Sequence, residues 1–162
     1  FWDRLTADLV HFGVDYDQIE FELTETAMMM DTKGSQDLLD TLAASGIRLS
    51  IDDFGTGYSS LSYLQKLPVN TVKIDRSFIN DMQYGNRERV LVQSMITLCH
   101  ALGYEVVAEG VETREVAELL AAMGCDELQG YWLSKPVKAD AFIEWMSERY
   151  SAQHSHLEAV CA

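Results

Sequence analysis

In this chain, residues able to bind metal or move protons recur where short apolar runs end. Glu22 and Glu25 stand in "FELTET", Asp52 and Asp53 in "SIDDFGTG", and Lys73 and Asp75 in "VKIDR". Glu109 and Glu112 follow in "VVAEGVET", and Gln129 in "ELQGY". Two adjacent carboxylates such as Asp52 and Asp53 repel each other unless a cation lies between or above them. Several carboxylates with one lysine suit a hard cation, Mg2+ or Mn2+, better than zinc. No histidine lies near these run ends: His11, His100, His154 and His156 all stand elsewhere. Two cations roughly 3.5–4 Å apart, sharing one aspartate, are a recurring arrangement for phosphate ester hydrolysis. Plainer uses exist for the same residues. Asp52 and Asp53 also suit a helix cap, and Lys73 suits a structural ion pair. The glycines of "GTG" are too few for a phosphate-cradling loop, and no lysine follows them as in a P-loop.

For these groups to meet, the elements must carry the run ends to one rim. Strands are expected over 19–23, 47–51 and 71–74, and within 104–110 and 127–133. Helices are expected over 1–13, 34–46, 58–68, 87–103, 113–124 and 138–150, and a loose tail after Tyr150. "MMM" at 28–30 reads as packing at a helix entry. Such alternation argues for a parallel sheet with helical crossovers. An open doubly wound sheet and part of a closed barrel both fit, and either binds ligands at the carboxyl ends of its strands.

Composition narrows the function. The 162 residues are 48% apolar and carry a net charge of −14, from 12 basic and 26 acidic side chains. A groove for polymeric nucleic acid needs the opposite sign, so no nucleic-acid polymer is expected as a partner. A small anionic ligand remains compatible where metal ions supply the positive charge. The three cysteines, Cys99, Cys125 and Cys161, have no CxxC spacing, which fits a reducing cytoplasm and argues against a disulfide framework. No apolar run approaches the ~18–20 residues of a membrane span. The first residue is Phe1 rather than methionine, so the chain is expected to begin inside a longer protein.

The strings "FELTET", "IDDFGTGYSSLSYLQKLPVNTVKIDRSFI", "VVAEGVET" and "LQGYWLSKPV" occur in this order from about 19 to 137. In them the chain resembles the EAL-domain family of cyclic-di-GMP phosphodiesterases. The resemblance implies a TIM-like (β/α)8 barrel of the EAL type, of which this α/β chain supplies about the last five βα units. Residues 1–150 would be the carboxyl-terminal portion of the domain, with 151–162 as tail. It implies hydrolysis of cyclic-di-GMP to linear pGpG in bacterial second-messenger and biofilm signalling. It also implies two divalent cations, Mg2+ or Mn2+, with Ca2+ inhibitory. By motif, Glu22 resembles a ligand of the first cation, Asp52 the ligand shared by both, and Asp53 and Glu109 ligands of the second. Lys73 resembles the lysine that orients or activates the attacking water, and Glu25 the glutamate bracing the loop after "DDFG". Gln129, Asp75 and Glu112 match positions that contact water or substrate. The stretch 55–66 resembles the family's dimer region, so a homodimer is expected, with upstream sensory or GGDEF-type domains that can anchor the whole protein to a membrane.

The family's Glu-Ala-Leu segment and a metal-binding asparagine lie upstream of "FELTE" and are not found here. The first cation then keeps only Glu22 and Asp52, so the chain alone is expected to be inactive. An unclosed barrel is also expected to leave strand edges unpaired and interior apolar side chains in water, favouring self-association. Two other readings stand beside the enzyme: a non-catalytic module binding cyclic-di-GMP or a protein, and an aldolase-type barrel with Lys73 as a Schiff base.

Overall fold

The computed structural model describes residues 2–24, 33–57 and 61–160. Glu25, the methionines at 28–30, and residues 58–60 of the expected dimer region lie outside the described residues. Strands β1 (Glu20–Thr24), β2 (Arg48–Phe54), β3 (Thr71–Ile74), β4 (Glu105–Glu109) and β5 (Glu127–Gln129) pair in parallel, in the order β1-β2-β3-β4-β5. Between them run α2 (Lys33–Ala44), α3 (Leu61–Leu64), α4 (Arg76–Asp81), α5 (Asn86–Ala101) and α6 (Arg114–Ala122). Helix α1 (Trp2–Phe12) precedes β1, and α7 (Ala139–Val160) follows β5.

The strand order decides between the two architectures left open by the alternation. Right-handed crossovers that always advance in one direction put every crossover helix on the same face of the sheet. A doubly wound sheet needs a reversal of strand order, and none occurs here. The sheet is therefore that of a partial (β/α) barrel. Its helix-covered face is apolar. Leu49, Ile51, Val72, Ile74, Val106 and Ala108 form one buried cluster with Leu42 of α2, Ile79 of α4, Val92 and Ile96 of α5 and Leu120 of α6.

The opposite face corrects the expectation that apolar interior side chains would meet water. Side chains alternate along a strand, and here the second set is polar. Glu20, Glu22, Arg48, Thr71, Lys73, Glu105, Glu127 and Gln129 line a cavity of about 280 Å³, with Val107 the one apolar residue among them. Arg48 pairs with Glu20 on β1 at 3.6 Å and with Glu105 on β4. These charges tie three strands together at the amino end of the sheet and keep that face hydrated.

Three local readings differ from the structure. Helix α4 was not expected; Asp75 starts it by accepting from Ser77 N–H at 3.0 Å, a side-chain cap that a six-residue helix shows only in context. Strand β2 runs through Asp52 and Asp53 to Phe54, past the expected end at 51. Helix α7 continues past Tyr150 to Val160, through the expected tail, because no Gly or Pro interrupts it. Residues 133–162 form a unit of their own, in which Phe142 stacks on Trp145 at 5.8 Å and the Arg149 guanidinium lies 4.7 Å from the Trp145 ring centre. Among the described residues, no helix is long and apolar enough to cross a membrane.

Candidate metal centre

Lys73 is the middle of the site. It lies on β3, the central strand, and its residue is only 7% exposed. Its Nζ donates to Glu22 Oε1 on β1 and lies within 2.7 Å of both Glu22 Oε1 and Glu109 Oε1 on β4. Asp52 Oδ1 on β2 is further, at 3.6 Å. Burial alone would lower the lysine pKa, but the hydrogen bonds to Glu109 and Glu22 outweigh it and push the pKa above the ordinary lysine value. In the metal-free site Lys73 is therefore an ammonium that donates to the acids on either side of it.

Asp52 and Asp53 reach the same rim only because β2 breaks its regularity. Neighbours on a strand point to opposite faces. The β2–β3 register passes from Ile51↔Val72 to Phe54↔Ile74, three steps on one strand against two on the other. That extra residue is a β-bulge, a feature that re-aims side chains. Asp53 takes the left-handed conformation, φ 55°, the one described non-glycine residue to do so. Thr56 fastens the turn through both N–H and Oγ1, which donate to Asp53 O at 3.2 and 2.9 Å. As a result, one oxygen each from Asp52, Asp53 and Glu109 lie within 4.8 Å of one another.

The electrostatics of this cluster are unbalanced. Partial loss of hydration, then the charges of Asp52 and Asp75, push the Asp53 carboxyl above its usual range. Asp52 Oδ1 is buried and has no hydrogen-bond partner. A buried acceptor without a hydrogen bond is costly, and a carboxylate gathered with two other acids suits a bound cation. The donor set, all oxygen, suits Mg2+, Mn2+ or Ca2+. Asp52, Asp53 and Glu109 would hold one such ion, and Glu22 with Asp52 borders the position of another.

Beyond Glu109 opens a cleft of about 240 Å³, lined by Arg76, Glu112, Gln129 and Tyr131 among others. Gln129 pairs in register with Glu109. Two glycines shape the cleft. A Cβ on Gly110, φ 72°, would lie 2.4 Å from Arg76 Cβ, so Arg76 can pass only a glycine there. A Cβ on Gly130 would lie 2.2 Å from Val111 O and 2.3 Å from Val111 N. Sequence reading missed Arg76, Gly110 and Gly130. A signal was present: a glycine directly follows each of the strand-end residues Glu109 and Gln129.

Of the residues singled out from sequence, Glu22, Asp52, Asp53, Lys73 and Glu109 converge, and Gln129 and Glu112 line the adjoining cleft. Asp75 uses its carboxylate to cap α4 through the N–H and hydroxyl of Ser77. Glu25 is not among the described residues.

The sequence model of the EAL domain matches residues 1–136. The bifunctional diguanylate cyclase/cyclic di-GMP phosphodiesterase MucR of Pseudomonas aeruginosa is 39% identical over 141 residues, 87% of this chain and 21% of that protein. The solved MucR phosphodiesterase in complex with c-di-GMP superposes with a TM-score of 0.81 at 39% identity, over 86% of this chain and 57% of that one. BlrP1 of Klebsiella pneumoniae, solved with manganese and cyclic di-GMP, gives a TM-score of 0.76 at 35% identity, over 83% of this chain and 34% of that one. The chain thus spans about a fifth of the full length of relatives such as MucR.

Proposed function

Because the chain belongs to the EAL-domain family, we propose that it is the carboxyl-terminal portion of a metal-dependent phosphodiesterase domain that hydrolyses cyclic-di-GMP to linear pGpG. The observation that carries this reading is the gathering of Asp52, Asp53 and Glu109, with one carboxylate oxygen of each within 4.8 Å of the others and Asp52 Oδ1 buried without a hydrogen bond. Four acids at one rim repel a phosphodiester anion, so binding one there requires cations. Bound divalent cations would neutralise the phosphate and lower the pKa of the attacking water.

The chain's own residues have definable parts. Asp52, Asp53, Glu22 and Glu109 hold and space the cations. Lys73, beside Glu22 and Glu109, orients or activates the attacking water. Gln129 and Glu112 border the cleft into which the rest of the nucleotide extends. Homodimerisation through 55–66 and upstream signalling domains belong to the same proposal. So does low turnover by 1–162 alone, where the first cation has only Glu22 and Asp52.

The test is Asp52→Asn. In calorimetry with Mn2+, the wild-type chain is expected to bind and the variant to lose at least tenfold in affinity. In the intact domain the variant is expected to lose turnover of cyclic-di-GMP to pGpG. Turnover within a few-fold of wild type would refute the shared-ligand role.

A further inference from the structure

The same ammonium that occupies the centre of the site raises a question about order of assembly. Lys73 Nζ is 2.7 Å from Glu22 Oε1 and 2.7 Å from Glu109 Oε1, carboxylates on strands β1 and β4 that flank the site from opposite sides. Its side chain is 8% exposed, so water does little to replace those contacts. We infer that Lys73 is a positioning residue of a particular kind: an internal counter-ion that holds the cation-binding carboxylates together and is displaced from them when divalent cations bind. The inference rests on the metal-dependent reading above and concerns how the site is loaded.

Three observations lead to it. An ammonium has three N–H donors and no acceptor, and two of its short contacts are to acids the cations need. Asp52 Oδ1, at 3.6 Å from Nζ, is an ionic neighbour beyond hydrogen-bond distance, so Lys73 bonds the outer acids and holds the shared one more loosely. A dication held by Asp52, Asp53 and Glu109 would sit a few ångströms from a buried ammonium, and like charges at that range repel strongly. Lys73 therefore preassembles the acids and opposes the ion at once.

A consequence for catalysis follows. Cation binding weakens the hold of Glu22 and Glu109 on Lys73 and frees N–H donors beside the site. The nearest unsatisfied anion is then the phosphodiester. The lysine that waits on the acids is then free to meet the phosphate.

The test is calorimetry of Ca2+ and Mn2+ binding to the 1–162 chain at pH 8, wild type against Lys73→Met, which keeps an unbranched stem without the charge. The variant is expected to bind about tenfold tighter or better. A residue that merely braced the fold would give weaker binding on removal, so equal or weaker binding overturns the inference. A second measurement needs no variant: the side-chain ammonium NMR signal of Lys73, protected in chelator, is expected to shift and exchange faster on adding Ca2+. An unchanged signal at saturating Ca2+ overturns it as well. If the wild type binds neither ion, the metal-dependent reading fails and the inference with it. Binding without the Lys73 effect overturns the inference alone.

Discussion

Replacing Asp53 by Asn should stabilise the metal-free protein while abolishing cation binding at the proposed site. Asp53 holds φ 55°, a left-handed conformation that Asp and Asn both tolerate, so this exchange isolates the charge. Its carboxylate also lies within 4.8 Å of those of Asp52 and Glu109. At that separation Coulomb repulsion is about 0.9 kcal/mol per pair in water and about 3.5 kcal/mol at an effective dielectric of 20. Asp53 is exposed, so solvent screening favours the lower figure. Two such pairs, reduced by attraction to Lys73, leave a net penalty of about 1 kcal/mol that Asn removes. For a chain of this size that is a rise of roughly 2–4 °C in Tm. The Asp53 carboxyl titrates above its usual range, so the charge part of this gain is present at neutral pH and fades as acid protonates the wild type. Urea and thermal unfolding in chelator measure the gain. The same experiments in saturating Mn2+ should reverse the order, since an ion at about 100 times its Kd adds about 2.7 kcal/mol to the wild type alone. An Asn variant less stable than wild type in chelator, or equally stabilised by Mn2+, would refute the claim that repulsion at Asp53 is kept for the ion.

Two further outcomes are expected away from the ion ligands. Asp126 Oδ2 accepts from Val106 N–H at 2.8 Å and lies 2.7 Å from His100 Nε2; partial burial pushes its pKa up, but these partners outweigh it and hold it below the usual carboxylate range. Asp126→Asn should cost about 1 kcal/mol, after allowance for exposure, in unfolding at neutral pH, and the difference should vanish as pH falls through the depressed folded-state pKa; a pH-independent difference would exclude the charge as its cause. Gly130→Ala drives a Cβ to 2.2 Å from Val111 O, where Val111 also accepts from Trp132 N–H and donates to Gln129 O, so a loss of about 3 kcal/mol or more is expected by urea unfolding, and a near-wild-type midpoint would show that this loop can give.

Alternating apolar runs and amphipathic stretches made the βα order legible in the sequence, since each burial period is a local property of the chain. The residue types at the run ends made the convergence legible too: Glu22, Asp52, Lys73 and Glu109 were identifiable because acids and a lysine recur at the carboxyl ends of successive strands. What local pattern could not supply was direction. Whether the sheet doubles back is a matter of which strands pair, and only the order β1-β2-β3-β4-β5 excludes a doubly wound sheet. Whether the unclosed face is oily or wet depends on which side-chain set faces the helices, and the structure turns Glu20, Arg48, Lys73 and Glu127 away from them. The pair that first suggests a metal, Asp52 and Asp53, should by strand periodicity point apart. A bulge and one left-handed residue bring them together, because register and backbone strain are settled by neighbouring strands and not by the residues themselves.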